Sequence, residues 1–411
     1  MTLARFDIHV DTPATGACHA AECVLEEDSG VLRRVDFRYT RDFLELPGAF
    51  PLDPRRLPLE SGETRFLCQG GMPGFVDDHL PDAWGRRVLA IFALEHHARR
   101  LNVNSAIELL TLEPAVSRIG ALSVTAVGRA ATFTHGAPLE RLVGVEQAAV
   151  RVDASRRMTA EEFGLRQLVQ VGSGSGGARP KALLTDGDTH YLAKFNRLSG
   201  DTYNHARVEL ACLEMARAAG LDAARGKIVE GDDGRDVLLL ERFDVAPLGG
   251  RHHLVTVNAL LKEEGTQRDS GLLFRYDDIA DVLARHSVSI RSDVEQLARL
   301  ALFNRAINNT DDHARNFTLV HRGEGYRLSP AYDLVPSMAI GEYHAAGFGF
   351  DPRPPKPSEV GGAGRVFGLS RPRLRRCAEE VLNAVNDWRE FAERAGVEEA
   401  ECEMLADRFN P

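Results

Sequence analysis

Leu302–Val320 reads LFNRAINNTDDHARNFTLV. The apolar spacing at its start predicts the end of a helix over Asp293–Asn308, and Phe317–Val320 predicts a strand that pairs with Tyr326–Leu328 in a hairpin. Between them lies a polar loop in which Asp311 and Asn316 stand five residues apart. A loop of that length lets a carboxylate face an attacking hydroxyl while the carboxamide turns to hold Mg2+, the spacing used in phosphoryl transfer. Asp312 competes for the part of the base but has no Asn five residues further on. His313 is placed to orient the loop through a hydrogen bond, or simply to pack. Asp333, 17 residues beyond Asn316 in LSPAYDLVPS, falls where a second metal-ligating Asp is expected, without the Phe-Gly of a flipping activation loop.

Moving toward the N-terminus, VLLLERFDV (Val237–Val245) reads as a strand with a polar stop, suited to a hinge whose backbone at Glu241 and Phe243 holds an adenine. HYLAKF puts Lys194 on a short strand 18 residues after Gly176, where a lysine can neutralise phosphates. The alternative for such a lysine is a strand edge in solvent. Only five of the 50 basic residues are Lys (Lys181, Lys194, Lys227, Lys262 and Lys356), so each is a better functional candidate than usual. Glu209, on a helix predicted over His205–Ala219, sits where a lysine-orienting Glu belongs.

The loop VGSGSGGARP (Val171–Pro180) brings Ser173, Gly174, Ser175 and Gly176 together, with backbone N–H groups free to approach phosphate oxygens. It is not a Walker A loop, because Lys181 is followed by Ala182. It is not a Rossmann turn either, because it runs into ARPKALL and not into a helix. A linker between domains is the alternative.

The N-terminal part predicts strands over Leu3–Val10, Val31–Tyr39 and Ile119–Val127. It also predicts a helix from Pro81–Asp82 and a second one capped by Ser105. Gly128–Val150 reads as a linker, and Ala160–Gln170 as a helix leading to the glycine loop. Domains are expected over residues 1–135 and 150–395. Gly347–Arg373 carries eleven Gly or Pro in 27 residues and reads as a loop or hinge, and Leu374, Cys377, Val381, Val385, Trp388 and Phe391 then share one helical face. The order is β-rich, then α/β, then mostly α.

Composition narrows the function. With 50 basic and 60 acidic side chains the net charge is −10, so direct nucleic-acid binding is not expected, because that needs a basic face. Six cysteines with no CxxC pair argue against zinc, iron–sulfur and disulfide frameworks. No apolar run reaches the length of a membrane span, and the first residues carry no signal-peptide stretch, so a cytoplasmic protein is expected.

The order of glycine loop, Lys, helix Glu, hinge, Asp/Asn loop and Asp resembles that of the HipA-family kinases, the toxin components of HipBA-type toxin–antitoxin modules. FVDDHLPDAWGRRVL and SRIGAL resemble the family's N-terminal domain. GSGSGGARPKALL, YLAKF, ERFD, NTDDHARNF and LSPAYDLVPS resemble its C-terminal kinase domain. The DxHxxN loop followed by YDxxP is the specific part. The resemblance implies an α+β, protein-kinase-like fold with a β-rich N-terminal domain and a mostly α-helical C-terminal lobe. It implies Asp311 as catalytic base, Asn316 and Asp333 as Mg2+ ligands, and an ATP side made of Ser173, Gly174, Ser175, Gly176, Lys181, Lys194, Glu241, Phe243 and His313.

The resemblance further implies a serine/threonine protein kinase that phosphorylates a translation component such as an aminoacyl-tRNA synthetase. It implies a HipB-like DNA-binding antitoxin as partner, and self-silencing by phosphorylation of a glycine-loop Ser. The usual position of that Ser, seven residues before Lys181, is Gly174 in this chain, with Ser173 and Ser175 on either side. The alternatives are a small-molecule kinase of the same geometry and a non-catalytic, antitoxin-binding corepressor.

Overall fold

The computed structural model describes residues 1–112, 119–131, 133–154, 168, 178–247, 249–262, 273–338 and 343–409. The chain forms two compact units. The first comprises Met1–Ser199, Glu230–Val255 and Lys262–Leu272, and the second Gly200–Val229, Thr256–Leu261 and Leu273–Pro411.

The first unit holds an antiparallel sheet of five strands, in the spatial order Thr64–Leu67, Val31–Tyr39, Gly16–Asp28, Thr2–Thr12 and Leu122–Ala126. Side chains alternate across a strand, so Phe6, Ile8 and Val10 are buried while Asp7, His9 and Asp11 share the other face. Gly16–Asp28 escapes the sequence patterning for a local reason. Ile8 pairs with Ala21 and His9 with His19, so Ala20 is an extra residue, and Ala20 and Ala21 are both buried. That bulge resets the period of two in mid-strand.

The helix Ala83–His97 starts where expected, with the Asp82 side chain accepting from the Gly85 N–H. Its Trp84, Val88 and Phe92 are buried. The Ser105 hydroxyl caps the next helix, Ala106–Leu112, by accepting from the Glu108 N–H at 3.0 Å and donating to the buried Glu27 carboxylate at 2.6 Å.

The expected linker Gly128–Val150 is corrected by a helix over Leu142–Asp153. Its buried stripe of Val145, Ala148, Ala149 and Val152 is interrupted by Glu146, which is itself fully buried. Glu146 is held there by the Arg235 guanidinium at 3.0 Å and the Asp232 N–H at 2.6 Å. A charged residue on the buried face hid the periodicity from the sequence. The predicted helix Ala160–Gln170 lies outside the described residues except Leu168, which is helical.

A second sheet in this unit places Ala137–Pro138, Lys181–Asp186, Thr189–Phe195 and Asp236–Glu241 side by side. The hairpin between Lys181–Asp186 and Thr189–Phe195 turns at Gly187, whose φ of +56° suits glycine.

The second unit is mostly helical: His205–Ala218, Tyr276–His286, Ile290–Ala306, Arg371–Asn386, Trp388–Arg394 and Glu399–Leu405, with the hairpin Thr318–His321/Tyr326–Leu328. Ile290–Ala306 buries Val294, Leu297, Ala298, Ala301 and Leu302. Its Arg299 bonds Glu380 of Arg371–Asn386 at 2.7 Å. Gly347–Arg373 is irregular, as expected, apart from short 3-10 turns at Pro357–Glu359 and Ala363–Arg365 and the end of the two-residue strand Ala346–Gly347, which pairs with Phe274–Arg275. The single terminal face expected through Phe391 is broken at Asp387. Leu374, Cys377, Val381 and Val385 are buried, but Trp388 and Phe391 are only half-buried and carry Arg389 and Arg394 over their rings. All six cysteines are free thiols. No helix among the described residues is long and apolar enough to cross a membrane.

Candidate active site

Helix Ile290–Ala306 ends in a loop that cannot continue as helix, because Asn308 adopts a left-handed φ of +55°. Asn and Asp tolerate that region better than other L-residues. The turn is tied to residue 337: the Asn308 amide donates to the Ser337 carbonyl at 2.8 Å, Ser337 N–H returns a bond to the Asn308 carbonyl at 2.9 Å, and the Thr310 N–H donates to the Ser337 hydroxyl at 3.1 Å.

Beyond it, residues 311–316 close on themselves. Asn316 N–H donates to the His313 carbonyl at 2.8 Å, and the Asn316 side-chain amide donates to the Asp311 carbonyl at 2.9 Å. Asp311 reaches the surface, and Asp333 lies close enough for the two charges to interact. Loss of surrounding water raises the Asp311 pKa above the ordinary carboxylate value. The neighbouring charges of Asp333 and Asp312 raise it further, against a lowering by His313. The His313 Nδ1 is buried without a hydrogen-bond partner, so the loop is closed by this residue's carbonyl and not by that ring nitrogen.

Asp333 has a left-handed φ of +58°. A non-glycine residue in this region is uncommon, and such strain concentrates at functional positions. It is held on both flanks: the Ala331 N–H donates to the Asp222 carbonyl at 2.7 Å, and the Tyr203 hydroxyl donates to the Pro336 carbonyl at 2.8 Å.

Asp312 is the opposite of Asp311. It is 1% exposed, and both its oxygens are engaged by the Tyr276 hydroxyl at 2.8 Å, His344 Nδ1 at 3.0 Å and the Ala346 N–H at 3.1 Å. A carboxylate so enclosed cannot reach a substrate hydroxyl, which separates the two adjacent acids that the sequence left in competition.

These donors suit a hard cation. The Asn316 amide nitrogen is committed to its own loop, which leaves its Oδ1 as an oxygen donor, and Asp333 offers a carboxylate. Among the described residues no three His, Cys, Asp or Glu side chains gather to hold an ion by themselves. Mg2+ needs no such cage, because it binds through one or two protein ligands together with phosphate oxygens and water. A cavity of about 610 Å3 in the same unit, bordered by Ser289, Arg291, Glu295, Arg299 and Arg373, includes none of the candidate residues.

In the first unit Lys181 and Lys194 are cross-strand partners. Directly paired residues point to one face of a sheet, so the two ammonium groups share a face. Lys181 is buried and Lys194 half-buried. The indole N–H of Trp84 fixes the start of this hairpin by donating to the Lys181 carbonyl at 3.0 Å. Glu241 ends the neighbouring strand opposite Tyr191, its side chain exposed, and Phe243 follows half-buried. Glu209 is buried on His205–Ala218 of the second unit. Ser173, Gly174, Ser175 and Gly176 lie outside the described residues.

Sequence reasoning missed the ion-pair cluster that adjoins Glu241 and Phe243 in the chain. Arg242 forks onto Asp244 at 3.0 and 2.7 Å, and Asp244 also accepts from the Gly120 N–H at 2.6 Å. Arg251, 1% exposed, bonds the carbonyls of Gly120 and Thr134. The signal was present in ERFD and SRIGAL, but nothing in either stretch alone says that they meet. Tyr276, Asn304, Asn309 and His344 were missed as well. The buried polar residues Asn304, near the end of Ile290–Ala306, and Asn309, just beyond it, were the available clue.

The family model of the HipA-like C-terminal domain matches residues 173–409. Toxin YjjJ of Escherichia coli is 25% identical over 290 residues, 65% of this chain and 60% of its own length. Y4mE of Sinorhizobium fredii, which is named as a kinase, is 29% identical over 157 residues, 37% of this chain and 36% of its own length. The chain thus spans less than two thirds of either curated relative. Among solved structures, the Shewanella oneidensis toxin–antitoxin complex of HipA, HipB and operator DNA matches with a TM-score of 0.65. The match is 20% identical and covers 98% of this chain and 94% of that one, a likeness of fold.

Proposed function

Because the chain belongs to the HipA-like C-terminal domain family, we propose that it is an ATP- and Mg2+-dependent serine/threonine protein kinase of the HipA toxin type. The observation that carries the reading is the turn 311–316, where an accessible Asp311 with a raised pKa stands near Asp333 and is closed by Asn316. Asp311 accepts the proton of a serine or threonine hydroxyl as its oxygen bonds to the γ-phosphorus of ATP. The bond to the bridging oxygen breaks and ADP leaves. Asn316 and Asp333 hold Mg2+, which when bound neutralises developing phosphoryl charge. Lys194, with Lys181 beside it, supplies positive charge to the phosphates, the glycine loop cradles them, and the backbone at Glu241 and Phe243 takes the adenine.

The substrate class is a protein of translation such as an aminoacyl-tRNA synthetase. The partner is a HipB-like antitoxin, supported by the likeness to a HipA that is itself found with HipB and operator DNA. A net charge of −10 fits a division of labour in which the partner supplies the DNA contacts. Self-silencing at Ser173 or Ser175 would place a charge of about −1.5 to −2 where the ATP phosphates sit. The test is transfer from γ-labelled ATP by the purified chain, with peptide mapping of any label it acquires. Labelling that requires Mg2+ and vanishes in Asp311→Asn supports the reading. A wild-type chain that turns over no ATP refutes it.

A further inference from the structure

Five polar side chains in the second unit form one buried chain of hydrogen bonds. The Asn309 amide donates to Asn304 Oδ1 at 3.0 Å, and the Asn304 amide donates to the Tyr276 hydroxyl at 3.1 Å. The Tyr276 hydroxyl donates to Asp312 at 2.8 Å, and Asp312 receives His344 Nδ1 at 3.0 Å. Each of the five is nine-tenths or more buried, an expensive arrangement for polar groups unless every bond is made. Two members, Asn309 and Asp312, flank Asp311 in sequence. His344 belongs to the stretch that follows Asp333, and this stretch is tied to the same loop by the Ala346 N–H on Asp312 at 3.1 Å and the Ala345 N–H on the Thr310 carbonyl at 3.0 Å.

Resting on the phosphoryl-transfer reading above, we propose that Tyr276, Asp312 and His344 are positioning residues for that reaction, fixing where the Asp311 carboxylate stands relative to the attacking hydroxyl. Asp312 takes three donors on its two oxygens, so its backbone, and with it the adjacent Asp311, is located from three directions. Burial keeps the Tyr276 hydroxyl protonated, because burial first and the Asp312 charge second push its pKa well above the ordinary tyrosine value. Tyr276 is therefore a fixed donor. His344 Nε2 is buried without a partner, so the ring is anchored through Nδ1 alone, and its removal takes away one of the three bonds that tie this segment to the loop.

The test measures Mg·ATP turnover and ATP affinity in Tyr276→Phe, His344→Ala and His344→Asn, beside wild type and Asp311→Asn. Displacement of a catalytic group by about 1 Å costs on the order of 100-fold in rate. Tyr276→Phe and His344→Ala should therefore lose kcat on that scale with KM for ATP within about twofold, because none of these side chains is assigned to the nucleotide. His344→Asn, which keeps a donor near Asp312, should recover part of the loss. If wild type and Asp311→Asn behave as the kinase reading requires while Tyr276→Phe and His344→Ala keep kcat within twofold, the positioning role falls and the reading stands. A loss of kcat that follows the thermal midpoint and returns on cooling would also overturn it, as a folding defect. A wild-type chain without turnover removes both.

Discussion

Asp244 and Asp311 are acids of the same chain held in opposite ways. Asp244 is buried between guanidiniums: Arg242 forks onto both of its oxygens, Gly120 adds a backbone N–H, and Arg251 stands nearby. Burial alone would raise its pKa, but the Arg242 pairing and the Gly120 bond outweigh it, and the net shift is downward. Asp311 reaches solvent, and among its neighbours two carboxylates, Asp333 and Asp312, oppose its ionisation. The first environment makes a carboxylate inert and structural. The second leaves one poorly satisfied until a proton, a cation or a substrate arrives, which is the condition of a general base.

The largest effect expected from this contrast is on turnover. Asp311→Asn should reduce phosphoryl transfer by roughly 10^2–10^4-fold while a fluorescent ATP analogue still binds, because the lost group handles a proton and not the nucleotide. Asp333→Ala should weaken Mg·ATP binding as well as turnover, since it removes the carboxylate proposed to hold the metal. If Asp311→Asn remains active, the contrast with Asp312 has been drawn the wrong way round.

Asp244→Asn should do the reverse. Removing one partner of a buried ion pair leaves Arg242 uncompensated and costs about 3–5 kcal/mol, read as a lower midpoint in denaturant with unchanged turnover per folded molecule. A midpoint equal to wild type would mean that Arg242 and Arg251 find other acceptors.

How much of this contrast could be read in the sequence follows from what each half depends on. The Asp311–Asn316–Asp333 set is spelled out by spacing within about twenty residues, because one loop and one hairpin carry it. The Asp244 cluster draws on Gly120, Thr134, Arg242 and Arg251, which no local pattern links. The same holds for the fold. Strands with clean alternation and helices with marked caps were legible, while Gly16–Asp28 was hidden by the bulge at Ala20 and Leu142–Asp153 by the buried Glu146. His344 stands 32 residues beyond Asp312 in the chain, and no local pattern links the two.

The two lysines give a smaller and more pointed test. Lys181 and Lys194 face the same side of one hairpin, yet Lys194 is the more exposed. Lys194→Arg keeps the charge but replaces a compact ammonium with a wide planar fork, and should lower turnover about tenfold or more. If Lys181→Arg is the damaging change and Lys194→Arg is silent, their parts are exchanged.

The smallest effect concerns stability against pH, where the two acids should differ in sign. A carboxylate with a lowered folded pKa stabilises the protein above the ordinary carboxylate range, and that stability is lost as pH falls through its folded pKa. This is the case of Asp244. A carboxylate with a raised folded pKa stabilises, relative to its ionised form, only at low pH, and that advantage is lost as pH rises through its folded pKa. This is the case of Asp311. Without Mg2+, the Asp311→Asn protein should therefore melt slightly above wild type at pH 7, with the gap closing as pH falls toward 4. Solvent around Asp311 keeps the gap small. Asp244→Asn should melt below wild type at pH 7, with its deficit shrinking in acid. Thermal melts of the three proteins between pH 4 and pH 8 decide the matter. An Asp311→Asn curve that lies below wild type at neutral pH would mean that the crowding of Asp311 by Asp333 and Asp312 is offset by a contact the carboxylate makes, and Asp311 would then belong with Asp244 as a structural acid.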